Sequence, residues 1–259
     1  MTPRQAWSTL WPPLAALTLA LGVAEGVVRS GLIASFLIPP PTAAVRALVE
    51  QFPTIRAAFF ETLIASLVGF AMSAVLGVAT AVILSSGGLV RRALLPYAVV
   101  LQTVPIVALA PLLAIWFDYG IGAVIASSFV ASVFPVIANT LAGLLSTDVP
   151  LIDLFRLYRA GRVATLLKLR LPFALPQIFT GLRVAAGLAV IGAIVGEFIT
   201  GSGLGGLMQV ARQQRRIDTV FATLFAASLL GIAMFAIINL AARLSLRHWH
   251  ASERPDERT

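Results

Sequence analysis

Cysteine is absent from the 259 residues. That removes disulfides, thiolate nucleophiles, Cys-ligated zinc and iron–sulfur clusters. Histidine occurs twice, at His248 and His250, both in the C-terminal tail. The apolar body of the chain therefore offers no imidazole for acid–base catalysis or metal binding, and no metal site is expected. An intramembrane serine protease with a Ser–His dyad is excluded on the same ground, and H-E-x-x-H does not occur. Lysine occurs once, as Lys168 between Leu167 and Leu169. The phosphate-binding pattern G-x-x-x-x-G-K-[ST] is thus missing, and the chain cannot hydrolyse ATP by the P-loop route. Charge is scarce as well. Only 12% of residues are Asp, Glu, Lys or Arg, against about 25% in a soluble domain.

What replaces charge is apolar sequence, 59% of the chain. It falls into runs near 20 residues long, the length of helix that crosses a bilayer core. The pattern predicts an all-α integral membrane protein, a single domain over residues 1–259 with six spans at about 11–29, 60–84, 95–117, 121–145, 174–199 and 219–243. Turn chemistry marks the breaks: Pro39-Pro40-Pro41, Ser85-Ser86-Gly87-Gly88, Asp118-Tyr119-Gly120, Thr147-Asp148-Val149-Pro150 and the glycine-rich loop Gly201 to Gly206. Arg4 followed by an apolar stretch imitates a signal peptide. The run Trp11–Val28 is longer than a signal core, and it reads as the first span, with Gly22, Glu25 and Gly26 on its interior face. Pro105 and Pro111 interrupt the third span, which is expected to be kinked or broken. Residues 42–58 place Val45, Leu48, Val49, Phe52 and Ile55 at helical spacing, consistent with a surface helix. Gly22/Gly26 and Gly192/Gly196 are pairs that let helices approach closely.

The net charge of +8 does not point to nucleic acid here, because basic loops of a membrane protein set topology and meet anionic lipid. With the N-terminus inside, twelve of the nineteen basic residues fall on the inner side and six on the outer, with Arg183 inside a span. This excess predicts a multi-pass protein with both termini cytoplasmic. The outer cluster Arg212, Arg215 and Arg216 runs against the rule. Glu25 and Glu61 lie at span ends. Glu197 lies within the fifth span, where a carboxylate costs about 2.5–3.5 kcal/mol at the bilayer centre and less near an interface. Residues that costly usually face a pathway or a partner. Arg183 either snorkels to the inner surface or pairs within the fold.

One inner loop stands out. Residues 146–173 interleave Leu154, Phe155, Leu157, Tyr158, Val163, Leu166, Leu167 and Leu169 with Arg156, Arg159, Arg162, Lys168 and Arg170, and the basic run ends in Leu171-Pro172. About 27 residues is long for a connector. A short amphipathic helix of this kind can bury apolar residues in a partner's groove while its charges orient the contact.

This loop resembles the "EAA" loop of permease subunits from binding-protein-dependent ABC importers. The better-preserved end is Arg170-Leu171-Pro172-Phe-Ala-Leu-Pro176-Gln177 through Gly181-Leu-Arg183. Leu37 to Pro41, Pro105 through Ala110-Pro111 to Trp116-Phe117-Asp-Tyr-Gly120, and Glu197 with Gly203-Leu-Gly205 agree with the nitrate/sulfonate/taurine-type branch. Leu154 to Ala160 resembles a sub-branch linked to pyrimidine-precursor or riboflavin uptake. The family's usual glycine position holds Arg159, with Gly161 two residues later, and the initial acidic residue is missing unless Asp153 serves.

The resemblance implies a six-helix type I ABC importer transmembrane domain with a cytoplasmic coupling helix, in the bacterial inner membrane. It implies docking on an ATPase through Arg156, Tyr158, Arg159, Ala160, Gly161, Arg162, Val163, Leu171 and Pro172. It further implies two ATPase subunits, a periplasmic or lipid-anchored solute-binding protein and a second permease copy. No cofactor is expected in this chain, ATP and Mg being bound by the ATPase. Glu197, Trp116 and Gln102 are the candidates for the translocation pathway. The alternative is a secondary transporter driven by an ion gradient, for which Glu197 is the one reasonable ion site.

Overall fold

A computed structural model describes residues 3–34 and 36–246. His248, His250, Arg247, Arg254 and Arg258 lie outside the described residues. Every regular element among those described is helical. In chain order they are α1 (Pro3–Arg29), α2 (Pro41–Glu50), α3 (Phe52–Ser85), α4 (Gly88–Thr103), α5 (Ile106–Trp116), α6 (Ile121–Leu145), α7 (Val149–Leu157), α8 (Arg162–Thr165), a π turn over Leu166–Arg170, α9 (Leu171–Thr200), α10 (Gly203–Gln213) and α11 (Ile217–Leu246). Five segments are long and apolar enough to cross a membrane: Trp11–Arg29, Phe52–Ser85, Ile121–Leu145, Arg162–Thr200 and Ile217–Leu246.

The stretch expected as a third span is two helices, α4 and α5. The break falls at Val104, whose backbone is extended (φ −71°, ψ 120°) immediately before Pro105. A proline ring clashes with a helical residue ahead of it, so the chain must leave the α region there. Pro105 then serves as the N-cap of α5.

The centre of the bundle is α6, packed against α3 on one side and α9 on the other. Small residues set these contacts. A Cβ added at Gly192 would lie 2.6 Å from the Ser127 carbonyl oxygen, and one at Gly196 only 3.0 Å from Ser127 Oγ. Without a hydrophobic driving force between helices in lipid, such close approach supplies the dispersion contact that holds them. Gly22 and Gly26 have nothing within 4 Å of a would-be Cβ. The two glycine pairs of the sequence therefore differ: one packs α9 on α6, the other faces open space. Hydroxyl contacts add to the interior, with Ser73 Oγ 2.7 Å from Ser132 Oγ across α3 and α6.

Apolar cores lie at both ends. Near the 146–173 segment, Ala81, Leu84, Val133, Ile137, Leu144, Ala174 and Ile178 cluster. At the opposite end Ala47, Ile55, Ala58, Leu204, Ala222, Ala226 and Ala227 join α2, α3, α10 and α11. Large apolar side chains such as Phe60, Val75, Phe225 and Ile232 point outward, as a lipid-facing surface requires.

The amphipathic segment 42–58 is not one helix. It divides at Gln51, and its second half is the start of α3, with Pro53 in the first helical turn, where a missing N–H costs nothing. Gln51 Nε2 donates to Thr219 Oγ1 at 2.7 Å, tying this corner to α11.

Candidate functional site

The 146–173 segment forms a short helical hairpin on the end of the bundle. α7 begins with Val149-Pro150 and ends in a paired-bond C-terminal motif. Arg159 N–H donates to the Arg156 carbonyl at 2.9 Å and Ala160 N–H to the Phe155 carbonyl at 2.9 Å. Between them Arg159 is left-handed, with φ +53°. This is the Schellman geometry, in which glycine is usual at the position Arg159 occupies. Gly161, by contrast, is an extended N-cap for α8 (φ −67°, ψ 162°). The family's glycine position and the left-handed position thus coincide at Arg159.

The segment's outward side is both apolar and basic. Leu157 is 81%, Tyr158 79% and Val163 68% exposed, beside exposed Arg156, Arg159 and Arg162. Ala160, Leu171 and Pro172 are half-buried. Arg156 NH1 donates to Asp153 Oδ1 at 2.9 Å, an exposed pair of the kind that contributes under about 1 kcal/mol. Pro172 does not separate this segment from the next span. Residues Arg162–Thr200 run as one 39-residue helical path, because the π turn accommodates the proline within a widened ladder: Leu171 N–H bonds the Leu166 carbonyl, five residues back. π turns inside α-helices are uncommon and concentrate at functional places.

At the far end of that path stands Glu197, only 1% exposed. Its Oε2 accepts the Gly205 N–H at 2.8 Å, and its Oε1 accepts the Thr62 hydroxyl at 2.7 Å. Thr62 Oγ1 in turn accepts the Leu204 N–H at 3.0 Å. Glu61 Oε2 accepts the Gly203 N–H at 2.9 Å. Three successive amides at the N-terminus of α10 are thus held by side chains of α3 and α9. Those amides have no intrahelical acceptor, and the helix dipole favours negative charge there.

The glycine-rich stretch 201–206 is accordingly the start of a helix, with only Gly201 and Ser202 outside it. Gly201 ends α9 in the left-handed region at φ +76°. At Gly205 a Cβ would sit 2.6 Å from the Ile194 carbonyl and 2.7 Å from Glu197 Cβ, so α10 approaches α9 as closely as backbone allows.

The three pathway candidates are spread over the fold. Gln102 is exposed two residues before the α4–α5 break at Val104. Trp116, 67% exposed, ends α5, about 16 Å of helix further on. Glu197 is buried, and its hydrogen bonds go to α3 and α10. Glu61 and Thr62 were not identifiable as its neighbours from sequence; the available signal was the Glu197-to-Gly205 spacing, readable only once α10 is known to be a helix. The α1–α2 corner repeats the device. Glu25 Oε2 accepts the Thr42 N–H at 3.0 Å, its Oε1 accepts the Thr42 hydroxyl at 2.6 Å, and Arg29 Nε donates to Oε1 at 2.7 Å.

Comparison with known proteins places this architecture. Residues 73–250 match the family described as binding-protein-dependent transport system inner membrane component. The chain is 32% identical over 231 residues to a probable ABC transporter permease protein of Haemophilus influenzae, covering 89% of this chain and 94% of that protein. It is 37% identical over 209 residues to the formylaminopyrimidine transport permease protein of Halalkalibacterium halodurans, covering 79% and 82%. It is 29% identical over 252 residues to the riboflavin transport system permease protein of Chloroflexus aurantiacus, covering 96% and 93%. This chain belongs to the family of binding-protein-dependent ABC importer permeases, and it is a multi-pass membrane protein.

Proposed function

We propose that this permease works as one of two copies in a complex with two ATPase subunits and an external solute-binding protein. Residues 146–173 and both termini face the cytoplasm. ATP and Mg bind the ATPase, not this chain. The observation that carries the reading is the outward side of the 149–163 hairpin, where Leu157, Tyr158 and Val163 stand exposed among three arginines. Exposed apolar groups in a basic frame suit a groove in a soluble partner.

The path Arg162–Thr200 then connects the docked segment to the opposite mouth. Its 39 residues span about 58 Å of helix. Movement of the docked hairpin is carried along α9 to Glu197, which holds α10. Glu197 supports the outer mouth by fixing α10, and Trp116 and Gln102 stand on the broken α4–α5 element that borders the pathway.

The solute is a small precursor of the pyrimidine or flavin type, as in the formylaminopyrimidine and riboflavin permeases this chain resembles. A small sulfonate or oxyanion is the second reading. Arg212, with Phe198, Met208, Gln209 and Val220, lines a cleft of about 320 Å³ at the outer end, beside exposed Arg215 and Arg216.

The test is uptake into sealed vesicles with ATP inside and all ion gradients collapsed, with the cognate binding protein outside. Uptake that persists supports the importer. Uptake that vanishes and returns with a gradient, without ATP, overturns it. The isolated chain should show no ATP hydrolysis, and activity should appear with its partner ATPase.

A further inference from the structure

The hairpin also lines a cleft, which shares Arg156, Ala160, Arg162 and Val163 with the docking segment. This cleft of about 430 Å³ opens between the end of α3 and the 156–170 segment. Three arginines line it, Arg156, Arg162 and Arg170, with no carboxylate among its lining residues. The Nε of Arg170 is buried and has no hydrogen-bond partner among the described residues. Arg170 ends the π turn, the one place in the Arg162–Thr200 path where the helical register is widened.

The hydroxyls in the wall sharpen the chemistry. Ser85 Oγ donates to the Val82 carbonyl, and Thr165 Oγ1 donates to the Gly161 carbonyl. Ser86 Oγ likewise donates to the Ile83 carbonyl. With their protons so bonded, these oxygens keep lone pairs for a donor, and each hydroxyl can also turn to donate. The cleft thus presents guanidinium donors for an anion beside hydroxyl acceptors for a donor. A phosphate that also carries free hydroxyls satisfies both, since guanidinium forks match phosphate oxygens. Val82, Ile152 and Leu166 supply an apolar wall. The end of α3 beside it is the end of a membrane span, and basic pockets at that level hold anionic headgroups.

We propose that this cleft binds a hydroxyl-bearing phosphate, with Arg170 and Arg162 gripping the phosphate oxygens and the wall hydroxyls accepting from the ligand. The chemistry is shared by a phosphatidylglycerol headgroup and by free glycerol phosphate. The inference rests on the chain spanning the membrane; it shares Arg162 with the docking reading, and the copurification arm of the test separates the two.

The test uses the full chain purified in a neutral detergent. It is titrated separately with short-chain phosphatidylglycerol, with phosphatidylcholine of equal chain length, and with glycerol 3-phosphate, and bound ligand is read by native mass spectrometry. Wild type should retain phosphatidylglycerol in preference to phosphatidylcholine. Retention of glycerol 3-phosphate at similar concentrations assigns the site to a soluble phosphate, and its failure assigns it to lipid. Arg162→Gln, at an exposed position, should weaken retention roughly tenfold, the effect of losing one charge-assisted contact. Arg170→Gln should abolish it, and Arg46→Gln at the opposite end should leave it unchanged. Equal retention of phosphatidylcholine, or retention by Arg162→Gln equal to wild type, overturns the proposal. If the arginines serve an acidic group of the ATPase instead, Arg162→Gln will reduce ATPase copurification while its lipid titration matches wild type.

Discussion

Replacing Glu197 tests whether one buried carboxylate holds α10 in place. In the Glu197→Ala variant the Gly205 N–H, bonded at 2.8 Å in the native chain, has no acceptor. Thr62 Oγ1 still accepts from Leu204 and can turn its proton to the Ala58 carbonyl at 3.1 Å. The loss is therefore one buried, unpaired N–H, costing about 1–3 kcal/mol, together with a carboxylate at a helix N-terminus, worth about 0.3–1 kcal/mol. A cavity in place of a fully buried side chain adds to this, for a total of about 3–4 kcal/mol. The Glu197→Gln variant differs. Its amide oxygen can accept from Gly205 while its NH₂ donates to Thr62 Oγ1, so every buried group keeps a partner and the cost is about 1 kcal/mol. The difference of about 2–3 kcal/mol corresponds to roughly thirty- to a hundred-and-sixtyfold in local opening. Amide hydrogen exchange at Leu204 to Gly206 in the purified protein should be accelerated by that ratio in the Ala variant relative to Gln. Uptake should fall in both variants while expression and ATPase copurification persist. Equal exchange in the Ala and Gln variants, or no change in either, would refute the reasoning.

Ala160→Asp places a charge at the half-buried hinge of the hairpin. It should lower ATPase copurification without preventing membrane insertion, and undiminished copurification with undiminished uptake would count against docking there. Arg159→Gly removes a side chain from a left-handed position (φ +53°) and should stabilise the turn by about 1 kcal/mol, seen as a rise in thermal midpoint; a fall in copurification instead would show that the guanidinium itself contacts the partner. Gly192→Val drives a side chain into the Ser127 carbonyl and should destabilise by about 1–3 kcal/mol, whereas Gly22→Val, with open space around it, should leave the thermal midpoint of the chain unchanged.

The spans were legible because lipid imposes a strong, one-dimensional rule: a run of apolar residues long enough to cross must be a helix. The break at Val104 was legible for the same kind of reason, since Pro105 forbids a helical residue before it. Two features were hidden by local ambiguity. Residues 42–58 carry one continuous helical period, yet Gln51 divides them, because Pro53 is better tolerated in a first turn than in an interior. Residues 203–206 read as a loop from their glycines. They form a helix in which neighbouring backbones press too close for any Cβ and side chains of α3 and α9 take the amides. Thr62 and Glu197 are 135 residues apart, and no local pattern pairs them. At the 149–163 hairpin the apolar-and-basic periodicity predicted a short amphipathic helix, but the turn geometry did not follow from composition. The glycine of that stretch, Gly161, is extended, and the left-handed position falls to an arginine.

The acidic residues bear on how transport is driven. A carrier coupled to protons or sodium needs a carboxyl group in the membrane region that can exchange its ion with the pathway. Glu197 was the candidate, and its two oxygens accept from Gly205 and Thr62. Glu61 holds Gly203, and Glu25 holds both the amide and the hydroxyl of Thr42. Asp218 at the start of α11 accepts the Thr219 N–H at 2.8 Å. Each of these carboxyls stands at the beginning of a helix, where free amides and the dipole favour it. Releasing one to carry an ion would strip a helix of its cap on every cycle. An engine outside the membrane leaves the caps in place.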